Sequence, residues 1–225
     1  MSGLVGNVDH AAGVVFPAVR ELRGLEFHPD VTFIIGENGC GKSTLLEAIA
    51  AAWGFNPEGG TVNFRFSTRA SHSGLHTHLR LVKSTRRPKD GFFLRAESFF
   101  NVATDIERSL HEQSHGESFL ALMLHRFGGN GLYILDEPEA ALSPARQLAV
   151  LRRIHQLVEE HSQFIIATHS PILMAYPSAK ILLLDDTGFT EVRYEETEHY
   201  AVTKAFLADP RHMLEQLFAD DEKDA

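Results

Sequence analysis

The stretch Val31-Thr32-Phe33-Ile34-Ile35-Gly36-Glu37-Asn38-Gly39-Cys40-Gly41-Lys42-Ser43-Thr44 decides the fold. Its apolar opening, ending at Ile35, predicts a buried strand. The following Leu45 to Trp53 predicts a helix over 44–53, stopped by Gly54. Between strand and helix, Gly36, Gly41, Lys42 and Ser43 meet the pattern G-x-x-x-x-G-K-[ST]. The glycines let the backbone curl so that successive N–H groups point inward. The helix N-terminus adds partial positive charge at the same spot. Lys42 can reach the β- and γ-phosphates of a nucleotide, and the Ser43 hydroxyl can ligate Mg²⁺. Gly36, Glu37, Asn38, Gly39, Cys40, Gly41, Lys42, Ser43 and Thr44 are therefore the candidate phosphate-binding residues. The plain alternative, a chance glycine turn, has to account for every fixed position in the right strand–turn–helix context.

The rest of the composition bounds what this loop can serve. At 225 residues, 44% hydrophobic and 23% charged, the chain reads as a globular domain with a sizeable core. A net charge of −9 argues against tight non-specific nucleic-acid binding, which rests on counterion release by Lys and Arg. Cys40 is the single cysteine, so no intramolecular disulfide can form. Its place is one where the motif accepts any residue; a small packing side chain is the simple reading and a redox switch the alternative. No basic-then-apolar leader and no run of 18 apolar residues is visible. The expectation is a cytoplasmic protein without a membrane span.

Along the chain, apolar runs at Leu132–Leu135, Phe164–Ala167 and Lys180–Leu184 read as buried strands, and Thr190–Tyr194 as an edge or hairpin partner. Val14–Phe16, Leu22–Phe27, Thr61–Phe66, Leu79–Val82 and Phe92–Leu94 read as further strands. Helical spacing covers 96–111, Phe119–Phe127, 198–208 and 211–219. Pro144–His161 is a long amphipathic helix with Leu148, Leu151, Ile154, Leu157 and Val158 on one face, and Arg152 and Arg153 on its wet side. Gln113–Ser118 reads as a polar turn. Continuous apolar strands alternating with amphipathic helices predict an α/β fold, a mainly parallel sheet covered on both faces.

Two strand ends carry chemistry. Leu132-Tyr133-Ile134-Leu135 runs into Asp136-Glu137. Asp136 can hold Mg²⁺ beside Ser43, and Glu137 can act as general base toward an attacking water. The plain alternative is that two acids merely end a strand. The next buried strand ends in Thr168-His169-Ser170, where a histidine can hydrogen-bond the γ-phosphate or the water.

The order Gly36–Thr44, Gln113–Ser118, Leu132–Glu137, Ala140–Ser143, His169 resembles an ABC-class ATPase domain, from about residue 14 to 185. The resemblance implies a P-loop NTPase fold with a small antiparallel β subdomain, as one domain spanning 1–225. Residues 55–95 would form a variable lobe and 96–127 a helical signature segment. It implies ATP and Mg²⁺ as ligands, and an ATP-dependent homodimer closed head to tail, with Ser114, Gly116 and Glu117 contacting the nucleotide of the other copy. It identifies Lys42, Glu137 and His169 as the catalytic set. Two departures stand out. Gln113-Ser114-His115-Gly116-Glu117-Ser118 replaces the transporter signature Leu-Ser-Gly-Gly-Gln, and Ser143 stands where the family's D-loop ends in aspartate. The altered signature is similar to that of stand-alone ABC-like ATPases, the AAA, OLD or SMC-like type. The family's Mg²⁺-contacting glutamine has no counterpart between Lys42 and Gln113, and Glu97 is the nearest substitute, with a packing or salt-bridge role for Arg95 and Glu97 as the alternative. Phe16 is a candidate to stack the base, or a core phenylalanine.

Other features carry less. His72, His76 and His78 lack a neighbouring Cys or acid at zinc-ligand spacing. Lys83, Arg86, Arg87 and Lys89 form a basic run, a solvated loop or a nucleic-acid contact. The leading functional expectation is an ATP-hydrolysing cassette that drives or gates an unidentified protein partner in DNA maintenance or defence. A nucleotide-gated module with little turnover stands second, and the ATP-binding subunit of a transporter third.

Overall fold

In the computed structural model, residues 3–6, 24–57, 59–61, 74–85, 87–95 and 115–221 are described. The main sheet has six strands in the order β4-β5-β6-β2-β7-β8. These are β2 (Val31–Ile35), β4 (Asp90–Arg95), β5 (Gly131–Asp136), β6 (Gln163–Ala167), β7 (Lys180–Asp185) and β8 (Gly188–Val192). The pairs among β4, β5, β6, β2 and β7 are parallel, and β8 turns back antiparallel on β7. A separate antiparallel pair joins β1 (Gly3–Gly6) to β3 (Leu79–Val82). This is the expected α/β P-loop architecture with its small antiparallel addition. Within 55–95, β4 belongs to the main sheet rather than to the small one.

The strands are apolar throughout because both faces are covered. On β2, Ile34 faces one core, with Leu45, Leu46 and Ile49 of helix α1 (Lys42–Trp53). Val31, Phe33 and Ile35 face the other. There they meet Phe119, Leu122 and Met123 of α2 (His115–Arg126) and Val150, Ile154 and Leu157 of α3 (Pro144–Glu159). β5 alternates likewise, Leu132 and Ile134 toward α1, Tyr133 and Leu135 toward α2 and α3.

Several element readings shift. Helix α1 begins at Lys42, two residues early, because Gly41 at φ 104° already turns the chain into it. Helix α2 begins at His115, so part of the expected turn 113–118 is helix. On α3 the buried stripe is Gln147, Val150, Ile154 and Leu157, while Leu148 is 60% exposed. Residues 24–28 form no strand beyond a single bridge at Leu25, although Leu25 and Phe27 are buried. The expected strand Val14–Phe16 and helix 96–111 lie outside the described residues, as does Thr61–Phe66 beyond Thr61.

After β6 come the short α4 (Pro171–Met174), then β7 and β8, then α5 (Glu198–Ala208) and α6 (Pro210–Asp221). The last two helices leave Val202, Leu207, Leu217 and Phe218 exposed. Thr197 caps α5 by accepting from Tyr200 N–H, and Tyr194 Oη donates to the Pro171 carbonyl at 2.8 Å. The first turn of α5 is thereby fixed beside α4. No helix among the described residues is long and apolar enough to cross a membrane.

Candidate active site

Strand register brings the chemistry together. Ile34 of β2 pairs with Ala167 of β6, and Ala167 pairs with Asp136 of β5. The segments that follow these three adjacent parallel strands emerge side by side: Gly36–Lys42, Glu137 and Thr168–His169. A crevice at the carboxyl ends of parallel strands is where open α/β sheets bind ligands.

The loop is built around two glycines and a buried lysine. Gly36 has φ +148°, and a Cβ there would lie 2.2 Å from the Leu184 carbonyl oxygen, so only glycine lets the loop leave β2 against β7. Gly41 precedes α1 with no side-chain cap, which leaves first-turn N–H groups directed into the loop. Lys42 is buried, and its Nζ donates to the Gly36 and Glu37 carbonyls at 2.7 and 2.8 Å. The ammonium is thus held over the loop it serves. Cys40 is half-buried and packs against the α1-side core. Glu37, Asn38 and Gly39 are exposed, and Thr44 is half-buried in the first turn of α1.

Ser43 Oγ donates to Asp136 Oδ1 at 3.1 Å. A hydroxyl and a carboxylate converging at a strand mouth are hard oxygen donors. They suit Mg²⁺, which binds through one or two protein oxygens with phosphates and water completing its shell. The residues present fit the ion, which Ser43 and Asp136 would hold. Arg95, which pairs with Asp136 in register, makes an ion pair with Glu47 of α1 at 3.2 Å, the salt-bridge role anticipated for it. Glu97, Ser114 and Phe16 lie outside the described residues; Gly116 and Glu117 fall in the first turn of α2.

Glu137 sits in the left-handed region, φ 49° and ψ 53°, with its N–H donating to the Ala167 carbonyl at 2.9 Å. A non-glycine residue there costs roughly 1–3 kcal/mol and persists only where surrounding structure enforces it. The turn places Glu137 Oε1 3.6 Å from His169 Nε2. Burial first, then the Lys42 ammonium, hold the His169 imidazole below its ordinary pKa, against an opposite pull from Glu137. His169 is therefore neutral at pH 7, and the 3.6 Å approach is a contact rather than a full ion pair. Its Nε2 is buried without a hydrogen-bond partner, with Glu137 beside it and Lys42 near enough to be felt.

Three residues at or behind the site escaped the sequence reading, and a fourth, Arg153, was placed on the wrong face. Glu139, in the 3₁₀ turn Pro138–Ala141, accepts the His169 N–H through Oε1 at 2.6 Å; burial raises its pKa against the hydrogen bonds it receives from His169 N–H and the Thr168 side chain. His199 of α5 lies with Nε2 3.1 Å from His169 Nδ1. Gln147 donates to the Leu142 carbonyl at 3.1 Å and accepts from Ser170 Oγ–H at 2.5 Å, while Ser170 Oγ caps α4. One buried amide thus ties the chain after Glu137 to the chain after His169. Arg153 is not on a wet face: it donates to the Met123 and Phe127 carbonyls at 3.3 and 2.7 Å, capping the end of α2. Signals existed for two of these. Gln147 is a polar residue at the spacing of the apolar stripe, and Glu139 lies between motif residues. His199 and Arg153 carry none, since their partners are distant in sequence.

The remaining candidates lie apart from the site. His76 and His78 occupy the 3₁₀ turn Gly74–His78, and no group of metal-ligating side chains forms among the described residues. Lys83 stacks over Trp53 with Nζ 4.0 Å from the ring. Arg87 lines a cavity of about 270 Å³ with Asp30, Asn130, His161 and Gln163, at the amino ends of β5 and β6, opposite the Gly36–Lys42 loop.

The chain matches a family model described as "AAA domain" over residues 16–118, and another described as "AAA domain, putative AbiEii toxin, Type IV TA system" over 98–175. It is 28% identical over 189 residues to an uncharacterized ABC transporter ATP-binding protein of Haemophilus influenzae, covering 70% of this chain and 71% of that one. It is 25% identical over 195 residues to the molybdate import ATP-binding protein MolC of the same organism, covering 80% and 76%. A dimeric bacterial ABC transporter cassette aligns with a TM-score of 0.49 at 14% identity, covering 88% of this chain and all of that one. The chain folds as an α/β domain with a P-loop sequence after β2, and parts of it match AAA-domain models.

Proposed function

We propose that this chain is a Mg²⁺-dependent ATPase whose output is delivered to a membrane permease. The observation that carries the catalytic part is the convergence at the ends of β2, β5 and β6. Lys42, Glu137 and the unpartnered His169 Nε2 surround one position, beside the Ser43–Asp136 pair. The loop N–H groups and Lys42 bind and orient the phosphates. Glu137 accepts a proton from the attacking water, and its strained turn fixes the direction of approach. His169, as a neutral donor at Nε2, gives a hydrogen bond to a terminal phosphate oxygen. Mg²⁺, when bound at Ser43 and Asp136, supplies charge neutralisation across the phosphates. The atoms balance as ATP and water to ADP and phosphate.

The permease part rests on the relatives, whose names describe ABC transporter and molybdate import ATP-binding proteins. They favour the reading ranked third from sequence over the DNA-maintenance or defence reading ranked first. The composite site formed by two copies, with Ser114, Gly116 and Glu117 acting across the interface, rests on the resemblance alone. A second reading, a stand-alone cassette serving a soluble partner or nucleic acid, draws on the Gln113–Ser118 departure.

Steady-state phosphate release from wild type and Lys42→Ala, together with fractionation of tagged protein, tests both parts. The expected result is Mg²⁺-dependent turnover lost in Lys42→Ala, and an integral membrane protein co-purifying. Absence of nucleotide binding in wild type overturns the ATPase reading. Co-purification of nucleic acid or only soluble protein, with turnover intact, overturns the permease and supports the second reading.

A further inference from the structure

The tautomer of His169 is decided outside the motif that contains it. A neutral imidazole carries one N–H, so its two nitrogens cannot both donate. For His169 to donate from Nε2 to a phosphate oxygen, Nδ1 must carry the lone pair and accept. The group facing Nδ1 is His199 Nε2, at 3.1 Å, on the first turn of α5. The rings lie 5.3 Å apart at 48°, and the outer atom of each, His169 Nε2 and His199 Nδ1, is buried without a partner.

The bond allows two arrangements: His199 donates to His169, or His169 donates to His199. In the second, His169 Nε2 would present a lone pair toward a phosphate oxygen that is itself an acceptor. Only the first is compatible with a donor role. The charged groups around the pair are Lys42, Glu137 and Glu139 on the sheet side, and Glu198 on α5. Burial keeps both rings in the neutral form that a single shared proton requires.

We infer that His199 is a positioning residue. It donates its Nε2–H to His169 Nδ1 and so holds His169 as the Nε2–H tautomer, aimed at the terminal phosphate. The second anchor on His169 is Glu139, which takes its backbone N–H and fixes the main chain while His199 fixes the ring. Thr197, as the cap of α5, and Tyr194, bonded to Pro171, hold the helix turn that carries His199. The inference rests on the proposed donor role of His169, but its first test does not require turnover.

That test is long-range ¹H–¹⁵N NMR of imidazole nitrogens in nucleotide-free protein at pH 7.5, with His169 assigned by its absence from His169→Gln. The expected result is the Nε2–H tautomer for His169 in wild type and a mixture of tautomers in His199→Phe. His199→Gln places an amide N–H near the position of the lost Nε2–H and should restore the wild-type signature. In turnover, His199→Phe should lose roughly tenfold or more in kcat with KM for ATP little changed, as expected when an outer partner of a site residue is removed. His199→Gln should recover most of it. Three findings would each overturn the inference: the Nδ1–H tautomer in wild type, a tautomer indifferent to His199→Phe, or equal kcat losses in the Phe and Gln variants. The wild-type spectrum decides even where the Phe variant does not fold. A protein that shows the expected tautomers and no ATPase activity overturns the proposed function but leaves standing the assignment that His199 fixes the His169 tautomer.

Discussion

Replacing Glu137 by Gln separates chemistry from folding at this site. The side chain has one described contact, His169 Nε2 at 3.6 Å, with the two side chains 39% and 30% exposed. With His169 neutral, this 3.6 Å approach is not a full ion pair and is worth less than about 1 kcal/mol. The backbone anchor, Glu137 N–H to the Ala167 carbonyl at 2.9 Å, survives the substitution. The left-handed φ of 49° is no harder for Gln than for Glu, since neither is β-branched. Stability should therefore change by under ~1 kcal/mol, or a melting shift of at most about 2–4 °C in a chain of this size. Turnover should fall far more. Loss of a general base costs roughly 10²–10⁴-fold, about 3–5 kcal/mol of barrier. ATP affinity should hold, because Lys42 and the loop amides are untouched. If two copies do complete the site, ATP should trap a dimer visible by sedimentation. The assays are phosphate release at saturating Mg²⁺-ATP, nucleotide binding, and a thermal melt on the same sample. Turnover near the wild-type rate would refute the assignment of Glu137 as base. A melting drop much larger than 4 °C would refute the claim that its role is chemical.

Other substitutions probe the supports. Gly36→Ala forces a Cβ to 2.2 Å from the Leu184 carbonyl oxygen; it should cost at least ~2 kcal/mol in the melt and abolish ATP binding. Gln147→Leu keeps the volume but strands the Leu142 carbonyl and the Ser170 hydroxyl proton; a loss of about 1–3 kcal/mol and a fall in kcat are expected, and an unchanged melt would count against the tie. For pH, both His169 and His199 have folded pKa values below the ordinary 6.5. The unfolded chain then binds more protons than the folded one just below pH 6.5. Their stability contribution is complete above that pH and is lost as pH falls through the folded values. Melting temperature and kcat should therefore both decline on the acid side of pH 6.5, and a His169→Gln/His199→Gln double variant should flatten that limb of the melt.

What could be read from sequence divides along a physical line. The groups proposed for the chemistry sit at strand ends, where an apolar run stops and a polar residue begins. Gly36–Thr44, Asp136-Glu137 and His169 each announce themselves within a few residues, and strand register then aligns them without help from side chains. The groups behind them sit on helices or in the turn after β5, and each has a partner 23 to 30 residues away. Helix α3 shows why such residues are misread. Scored by hydrophobicity, Leu148 belongs to the buried face and Gln147 does not. The structure exposes Leu148 and buries Gln147, because a buried amide with both of its bonds made costs little, and a single exposed leucine costs little as well. Arg153 follows the same logic: next to Arg152 it looks like part of a solvated pair, yet the open carbonyls at the end of α2 need a donor and its guanidinium supplies one. Periodicity counts apolar side chains, whereas these positions are settled by which backbone and ring atoms would otherwise be orphaned. For His199 that demand comes from a single nitrogen of His169. Its role could be read only once α5 was seen folded back against the end of β6.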